Sequence, residues 1–282
     1  MMKKSLITIM LFALVAINLQ AKAKIVQEIS GFSHPESVFV YEDNVFVSNV
    51  GKKLEPLAKD GDGFISKLSY DGKMINKSFI KNLNAPKGLF IENGKLYVLD
   101  IDELKVFDVN SAKALFSIKI DDAVFLNHIT KLNDTNILIS DTGTGIIHKI
   151  DLKDKSYSTF AKMNVGKDGG PNGMVFLDNK LYIAGYDPNG KNAAIFGELD
   201  ETIIKPANDL KGVFDGLVSD ENGNLFLSDW VNGVNGIVYK IDKTGYKKLP
   251  LRDLKGPADM FYDGKYLWIP EMVGEKVLKI QL

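Results

Sequence analysis

The sequence predicts an all-β chain, and three observations carry that expectation. Short runs rich in Val, Ile, Tyr and Phe are joined by Asp-Gly, Asn-Gly and Asp-Asn turns. No long segment carries a helical period. One pattern (a small turn, an apolar stretch, a polar turn and an alternating strand) recurs six times, at intervals of roughly 40–50 residues, the length of a four-stranded blade. Together these specify one six-bladed β-propeller of four-stranded blades over residues 24–282.

The six copies span 34–48, 85–100, 126–141, 170–184, 214–230 and 256–271. Each supplies the first and second strands of a blade. A third strand follows each copy, at 63–70, 103–109, 145–152, 193–199, 236–241 and 276–282. The last copy stops after its third strand, while 24–30 has a strand pattern and no partner in its own repeat. The N-terminal strand is therefore expected to close the last blade, leaving only short, protected edges. No Pro/Ser-rich linker interrupts the repeats, so a single domain is expected.

Residues 1–23 read as a signal peptide. Met1-Met2-Lys3-Lys4 is a basic start, the run from Ser5 to Leu19 is uncharged, and Ala21-Lys22-Ala23 is a small-x-small cleavage site. The run is shorter than the roughly 18 residues that span a bilayer. The expectation is a periplasmic or secreted protein with no membrane span in the mature chain.

Composition removes several kinds of chemistry. The 35 basic and 36 acidic side chains give a net charge of −1, and Arg252 is the only arginine, so nucleic acid is not an expected partner. There is no cysteine, which excludes thiolate catalysis, disulfides and cysteine-based zinc sites. No phosphate-cradling glycine loop occurs. Residues 59–66 resemble half of a calcium-binding loop but read better as a turn leading into a strand.

The first strand of each propeller blade lines the central channel. Equivalent positions in the six copies are Glu36, Lys87, Asn127, Asn172, Asp215 and Ala258. Flanking positions are similar from copy to copy, whereas this one holds two carboxylates, two amides and a lysine. Burying that set without a partner costs several kcal/mol. Carboxylates with an amide carbonyl suit a hard divalent cation. The alternative is that Glu36 or Asp215 pairs with Lys87 across the channel. Asp100, Asp141 and Asp229 end second strands and are expected to cap turns. Trp230 and Trp268 are expected to pack between blades. His34 and His148 receive no role. His128 follows Asn127 and is a candidate to face the ligand as an acid/base residue; the alternative is a packed or surface histidine, since strand neighbours point to opposite faces.

Three of the copies resemble motifs of the gluconolactonase/regucalcin family, also called the senescence marker protein family. The segment 214–230 looks like its "PDG…D..GNLW" signature, Gly170-Pro171-Asn172-Gly173 resembles "PNG", and His34-Pro35-Glu36-Ser37 resembles "xPEGP". The resemblance implies that Glu36, Asn172 and Asp215 bind one divalent cation, calcium first, with magnesium, manganese or zinc as alternatives. It further implies that Asp215 is the catalytic base and that Asn127 binds substrate; Lys87 and His128, by their own chemistry and place in the ring, are candidates to bind substrate with it. The implied activity is hydrolysis of a lactone or related ester by an exported enzyme acting on a small molecule. Two positions depart from the family: Phe125 stands where it has a substrate-holding arginine, and Lys87 brings a cation where many relatives have a small polar residue. These favour the competing reading, a non-catalytic periplasmic propeller that binds a ligand or a protein partner.

Overall fold

The computed structural model describes residues 23–187 and 194–282. The expected leader lies outside the described residues apart from Ala23. Strand β1 (Lys24–Ser30) comes first. Four blades follow in sequence order: β2 (Pro35–Tyr41), β3 (Asn44–Asn49), β4 (Gly63–Ser69) and β5 (Met74–Leu83); β6 (Pro86–Glu92), β7 (Lys95–Asp100), β8 (Glu103–Asp108) and β9 (Ala114–Lys119); β10 (Leu126–Lys131), β11 (Asn136–Asp141), β12 (Ile146–Asp151) and β13 (Ser156–Lys162); β14 (Gly170–Leu177), β15 (Lys180–Tyr186), β16 (Ala194–Asp200) and β17 (Ile203–Gly212). A single helical turn, α1 (Val165–Asp168), precedes β14. The fifth blade is β18 (Phe214–Ser219), β19 (Leu225–Asp229), β20 (Ile237–Asp242) and β21 (Gly245–Lys248). The sixth is β22 (Phe261–Tyr262), β23 (Tyr266–Glu271) and β24 (Lys276–Gln281).

Each blade is a four-stranded antiparallel meander, and the sixth has the order β1-β24-β23-β22. The N-terminal strand thus closes the ring as the repeats predict, pairing Lys24 with Gln281 and Ser30 with Lys276. Lys279 on β24 fastens this blade to the first. Its Nζ lies 3.9 Å from the Tyr70 ring centroid, 4.4 Å from Trp268 and 4.5 Å from Tyr266, and donates to the Tyr70 carbonyl at 3.0 Å. Trp268 is fully buried there, so its packing role is as expected.

The core is divided among the blade interfaces. Phe46, Ile65 and Ile80 of the first blade pack against Leu89, Leu96 and Val98 of the second. Leu99, Leu104 and Val106 of the second meet Ile129, Ile137 and Ile139 of the third. The remaining interfaces repeat this arrangement. Period-2 strands with both faces buried between neighbouring blades explain why the apolar positions run almost without a break.

Two features position the channel. In five of the blades the residue ending the second strand reaches back to the backbone just ahead of that blade's own inner strand. Asp100 accepts from the Asn84 and Ala85 N–H groups, Asp141 from Val124 and Phe125, Asp229 from Val213, Asn49 from Ser33 and Glu271 from Lys255. The expected turn-capping role of Asp100, Asp141 and Asp229 is what these bonds perform. Secondly, the pairing of inner and second strands slips between Pro35 and Val38, Pro86 and Leu89, Leu126 and Ile129, Pro171 and Met174, and Phe214 and Leu217. Each slip is a bulge containing a residue of the predicted ring.

The sixth blade differs. Its inner strand shrinks to Phe261–Tyr262. Pro270 occupies the place of Ser48, Ser140 and Ser228, whose hydroxyls accept the bulge N–H of Ser37, His128 and Gly216. A proline has neither that hydroxyl nor an N–H of its own.

Candidate active site

The inner strands all begin on one side of the ring, here the upper mouth. The bulges turn Glu36, Lys87, Asn127, Asn172 and Asp215 into one cavity of about 120 Å³. Its wall above them is Leu54, Pro56, Phe125, Tyr186, Trp230 and Met272. Ala258 closes the ring without a polar atom and belongs to an apolar collar with Val50, Ala85, Ile101 and Met272.

All five polar ring residues are buried, yet Glu36 Oε2, Asn127 Oδ1, Asn172 Oδ1 and Asp215 Oδ1 have no hydrogen-bond partner in the protein. Buried oxygens of that kind are rare in a folded chain. Burial first, then the Asp215 and Asp259 carboxylates, pushes Glu36 well above the usual carboxylate range, against the opposing pull of Lys87. Asp215 is pushed up to about 7 by burial and by Asp259, although Trp230 and Asn172 hydrogen-bond its charged form. The Trp230 Nε1–Oδ2 distance is 2.8 Å. Trp230 is thus not the inter-blade packing residue that the sequence suggests. It follows Asp229 where Val50 follows Asn49 and Met272 follows Glu271, a loop-start position that faces the mouth.

Lys87 does not bridge to either carboxylate. Its Nζ donates to the carbonyls of Pro56, at 2.6 Å, and Ala85, at 2.7 Å, and sits 5.0 Å from the Phe125 ring centroid. Burial lowers its pKa to about 8, with Glu36 chief among the charges that resist the fall. The cation therefore pins the 50–62 segment over the mouth.

The structure does not bring His128 to this cavity, a correction to its expected place among the substrate-binding residues. The bulge aims His128 toward the lower mouth, where its Nδ1 lies 3.0 Å from Asp259 Oδ1 and Ser37 Oγ donates to Asp259 Oδ2 at 2.8 Å. Burial alone would pull His128 down, but Asp259 and the Met174 carbonyl hold its pKa above the ordinary value. Ser37 and Asp259 were not legible as partners from the sequence. One signal pointed to them: three of the six copies carry glycine at this position, Gly88, Gly173 and Gly216. A Cβ on Gly173 would lie 2.5 Å from the Asp215 carbonyl oxygen, and one on Gly216 would lie 2.4 Å from that of Ala258. Side chains where the backbones otherwise meet imply that those side chains bond to one another.

Among the described residues, no three His, Asp or Glu side chains converge as a metal-binding set. The upper mouth instead offers two carboxylates and two amide carbonyls, a set that fits a hard cation and no soft one.

The fold and this mouth define a class: a six-bladed propeller with a buried polar ring at one end of its channel. No family model and no curated protein matches the sequence. Solved structures do match in shape. Virginiamycin B lyase from Staphylococcus aureus superimposes with a TM-score of 0.60 at 13% identity, over 93% of this chain and 100% of that one. A luciferin-regenerating enzyme gives 0.63 at 14% identity, over 92% and 95%. A Bacteroides thetaiotaomicron protein of unknown function gives 0.67 at 14% identity, over 92% and 72%. At such identities the likeness is one of fold, and it includes propellers that are enzymes.

Proposed function

We propose that this protein is a divalent-metal-dependent hydrolase of a lactone or related ester, acting at the upper mouth. The observation that carries the reading is the four unpartnered buried oxygens of Glu36, Asn127, Asn172 and Asp215 around one small cavity. The motif resemblance to the gluconolactonase/regucalcin family supports it independently. Glu36, Asn172 and Asp215 would hold the cation, calcium first by donor type, with magnesium, manganese or zinc as alternatives. When bound, it supplies a Lewis acid for the carbonyl and lowers the pKa of water.

The chain's own groups do the rest. Asp215, near 7 when the ring holds no cation, takes a proton from the attacking water. Water oxygen bonds to the acyl carbon, the acyl–oxygen bond breaks, and the proton held at Asp215 passes to the departing alkoxide. The products are a carboxylic acid and an alcohol, joined in one molecule if the substrate is a lactone. Asn127 donates to Thr142 Oγ1 at 3.3 Å, which fixes its amide and turns Oδ1 toward the cavity for a substrate hydroxyl or the water. Export is part of the proposal, on the strength of the leader pattern in residues 1–23.

One observation favours the second reading, a non-catalytic ligand-binding propeller: the Lys87 ammonium lies in the ring and suits an anion. Melting the protein in chelator and then in calcium separates the two. A ligand that binds only the native state adds about 2.7 kcal/mol at 100 times its Kd, a rise of several degrees for a domain of this size. A rise with calcium that is lost in Asp215→Ala, together with turnover in a lactone panel, is the expected result. The absence of any rise with calcium, manganese, magnesium or zinc would sink the cation site.

A further inference from the structure

The wall and rim of the upper mouth describe what the reacting group is attached to; this inference rests on the hydrolytic reading above. The four unpartnered ring oxygens share the cavity with Leu54, Pro56, Phe125, Tyr186, Trp230 and Met272, while the Lys87 ammonium is taken up by the Pro56 and Ala85 carbonyls. At about 120 Å³ the cavity is small beside the roughly 300–1,000 Å³ of drug-sized ligand sites. It takes the reacting ring or carbonyl, so any larger substituent must lie on the rim.

The rim is apolar. Leu54, Leu57, Val124, Val231, Val234 and Val273 are all exposed, and all sit on segments that connect strands on the upper side. On the lower side the exposed apolar side chains, Ile75, Leu115, Tyr157, Ile203 and Tyr246, lie at the starts of outer strands, at the periphery rather than around the channel. Val231 adds a second observation. Its φ is +54°, a left-handed conformation that a β-branched residue adopts only under strain, and its side chain is 46% exposed. The Asp229 carboxylate holds that backbone in place by accepting from the Val231 N–H at 2.9 Å. Strain that presents a valine to water beside the Trp230 indole gains the free protein nothing, and a bound apolar group would cover it.

We propose that the substrate is an amphipathic lactone or ester, whose carbonyl enters the ring and whose alkyl or aryl substituent lies against Trp230, Val231 and Val234. A polyhydroxylated lactone gains less, because beyond the ring oxygens and Tyr186 the wall is Leu54, Pro56, Phe125, Trp230 and Met272, so most of its hydroxyls would leave water for side chains without a free partner. Phe125 sharpens the preference: it presents a ring face where the resembled family holds substrate with an arginine. The bond made and the bond broken are those of the hydrolysis already described.

The test uses two homologous series on the full protein, γ-lactones with butyl to decyl substituents and the matching lactams, which resist hydrolysis. Lactam binding is followed by the fluorescence of Trp230, with Trp230→Phe as the control for the buried Trp268. The expected result is a Kd that falls by about two- to fourfold per added methylene, the upper figure being complete burial, and a KM for the lactones that falls in parallel. Val234→Asp should flatten both dependences. A flat lactam series, or gluconolactone turned over in preference to the alkyl lactones, overturns the inference while leaving hydrolysis intact. A steep lactam series with no lactone turned over upholds the apolar ligand and removes the hydrolytic reading. Co-sedimentation with phosphatidylcholine vesicles alongside a flat series assigns the rim to a lipid surface and also overturns it.

Discussion

Consecutive residues on the same inner strands form two layers of opposite character. Glu36, Asn127, Asn172 and Asp215 each leave a buried oxygen without a partner at the upper mouth. One residue further along, Ser37, His128 and Asp259 close on one another at the lower mouth, where Asp259 accepts from Ser37 and binds the His128 ring. Both layers are buried, and both contain carboxylate. The difference is completeness. A satisfied network fixes a structure, whereas the unsatisfied one in the same wall leaves four buried oxygens for the cation and substrate proposed above. Proximity of charge therefore does not separate the two layers here, whereas four unmet oxygens around one cavity do.

The largest expected effect comes from converting one layer toward the other. Asp215→Asn should lower lactone or ester turnover by about 10²–10⁴-fold, the span of general acid–base catalysis. The same change should remove a pH effect. In chelator, the folded wild type keeps a proton at Asp215 up to about 7, whereas an ordinary aspartate releases it near 3.8. Wild-type stability should therefore fall as pH rises between those values, and Asp215→Asn should lose that part of the slope. If turnover survives the substitution, the base lies elsewhere.

The lower layer should respond in stability rather than in turnover. Asp259→Ala strands His128 and Ser37 in the interior, and removing one partner from a buried pair costs about 3–5 kcal/mol. Urea unfolding would measure this. His128 has its pKa raised in the fold above the ordinary 6.5. The contribution of the pair is thus complete below about pH 6.5 and lost as pH rises through the folded value, so the gap between wild type and Asp259→Ala should narrow on the alkaline side. A gap below about 1 kcal/mol at pH 6 would remove the distinction between the layers. The smallest effect expected is that of Trp230→Phe. It deletes the donor to Asp215, and a hydrogen bond of about 1 kcal/mol corresponds to less than one pH unit. The acid limb of the pH–rate profile should move upward by about that amount.

The repeats, the blade count and the ring closure were legible because they rest on local signals. Period-2 strands and Asp-Gly or Asn-Gly turns need no knowledge of distant residues. The membership of the upper ring was legible for the same reason, since equivalent places in a repeat share an environment. Four features were not. The bulges that set the ring residues into the upper mouth leave no mark in the alternating pattern, and neither does the depth at which His128, the strand neighbour of Asn127, is drawn to the opposite mouth. The Ser37–Asp259 bond joins residues 222 positions apart, which only the closed ring brings together. Trp230 looked like Trp268 in sequence, yet one donates to a ring carboxylate and the other is sealed between blades. The short β22 also escaped notice, because Pro270 acts by lacking groups rather than by supplying them.

The pairing of β1 with β24 has a consequence for how the molecule comes into being. Lys24 meets Gln281, so the chain must be synthesised almost from one pairing partner to the other before the circle can shut. At roughly 5–20 residues per second that is a delay of roughly 10–50 s. Throughout that interval the nascent chain can stack successive blades as an open arc, with the exposed flank of the first blade waiting for Trp268 and Lys279 to arrive. Completion is then a single late event, like fastening a bracelet, and β1 and β24 share responsibility for the one clasp.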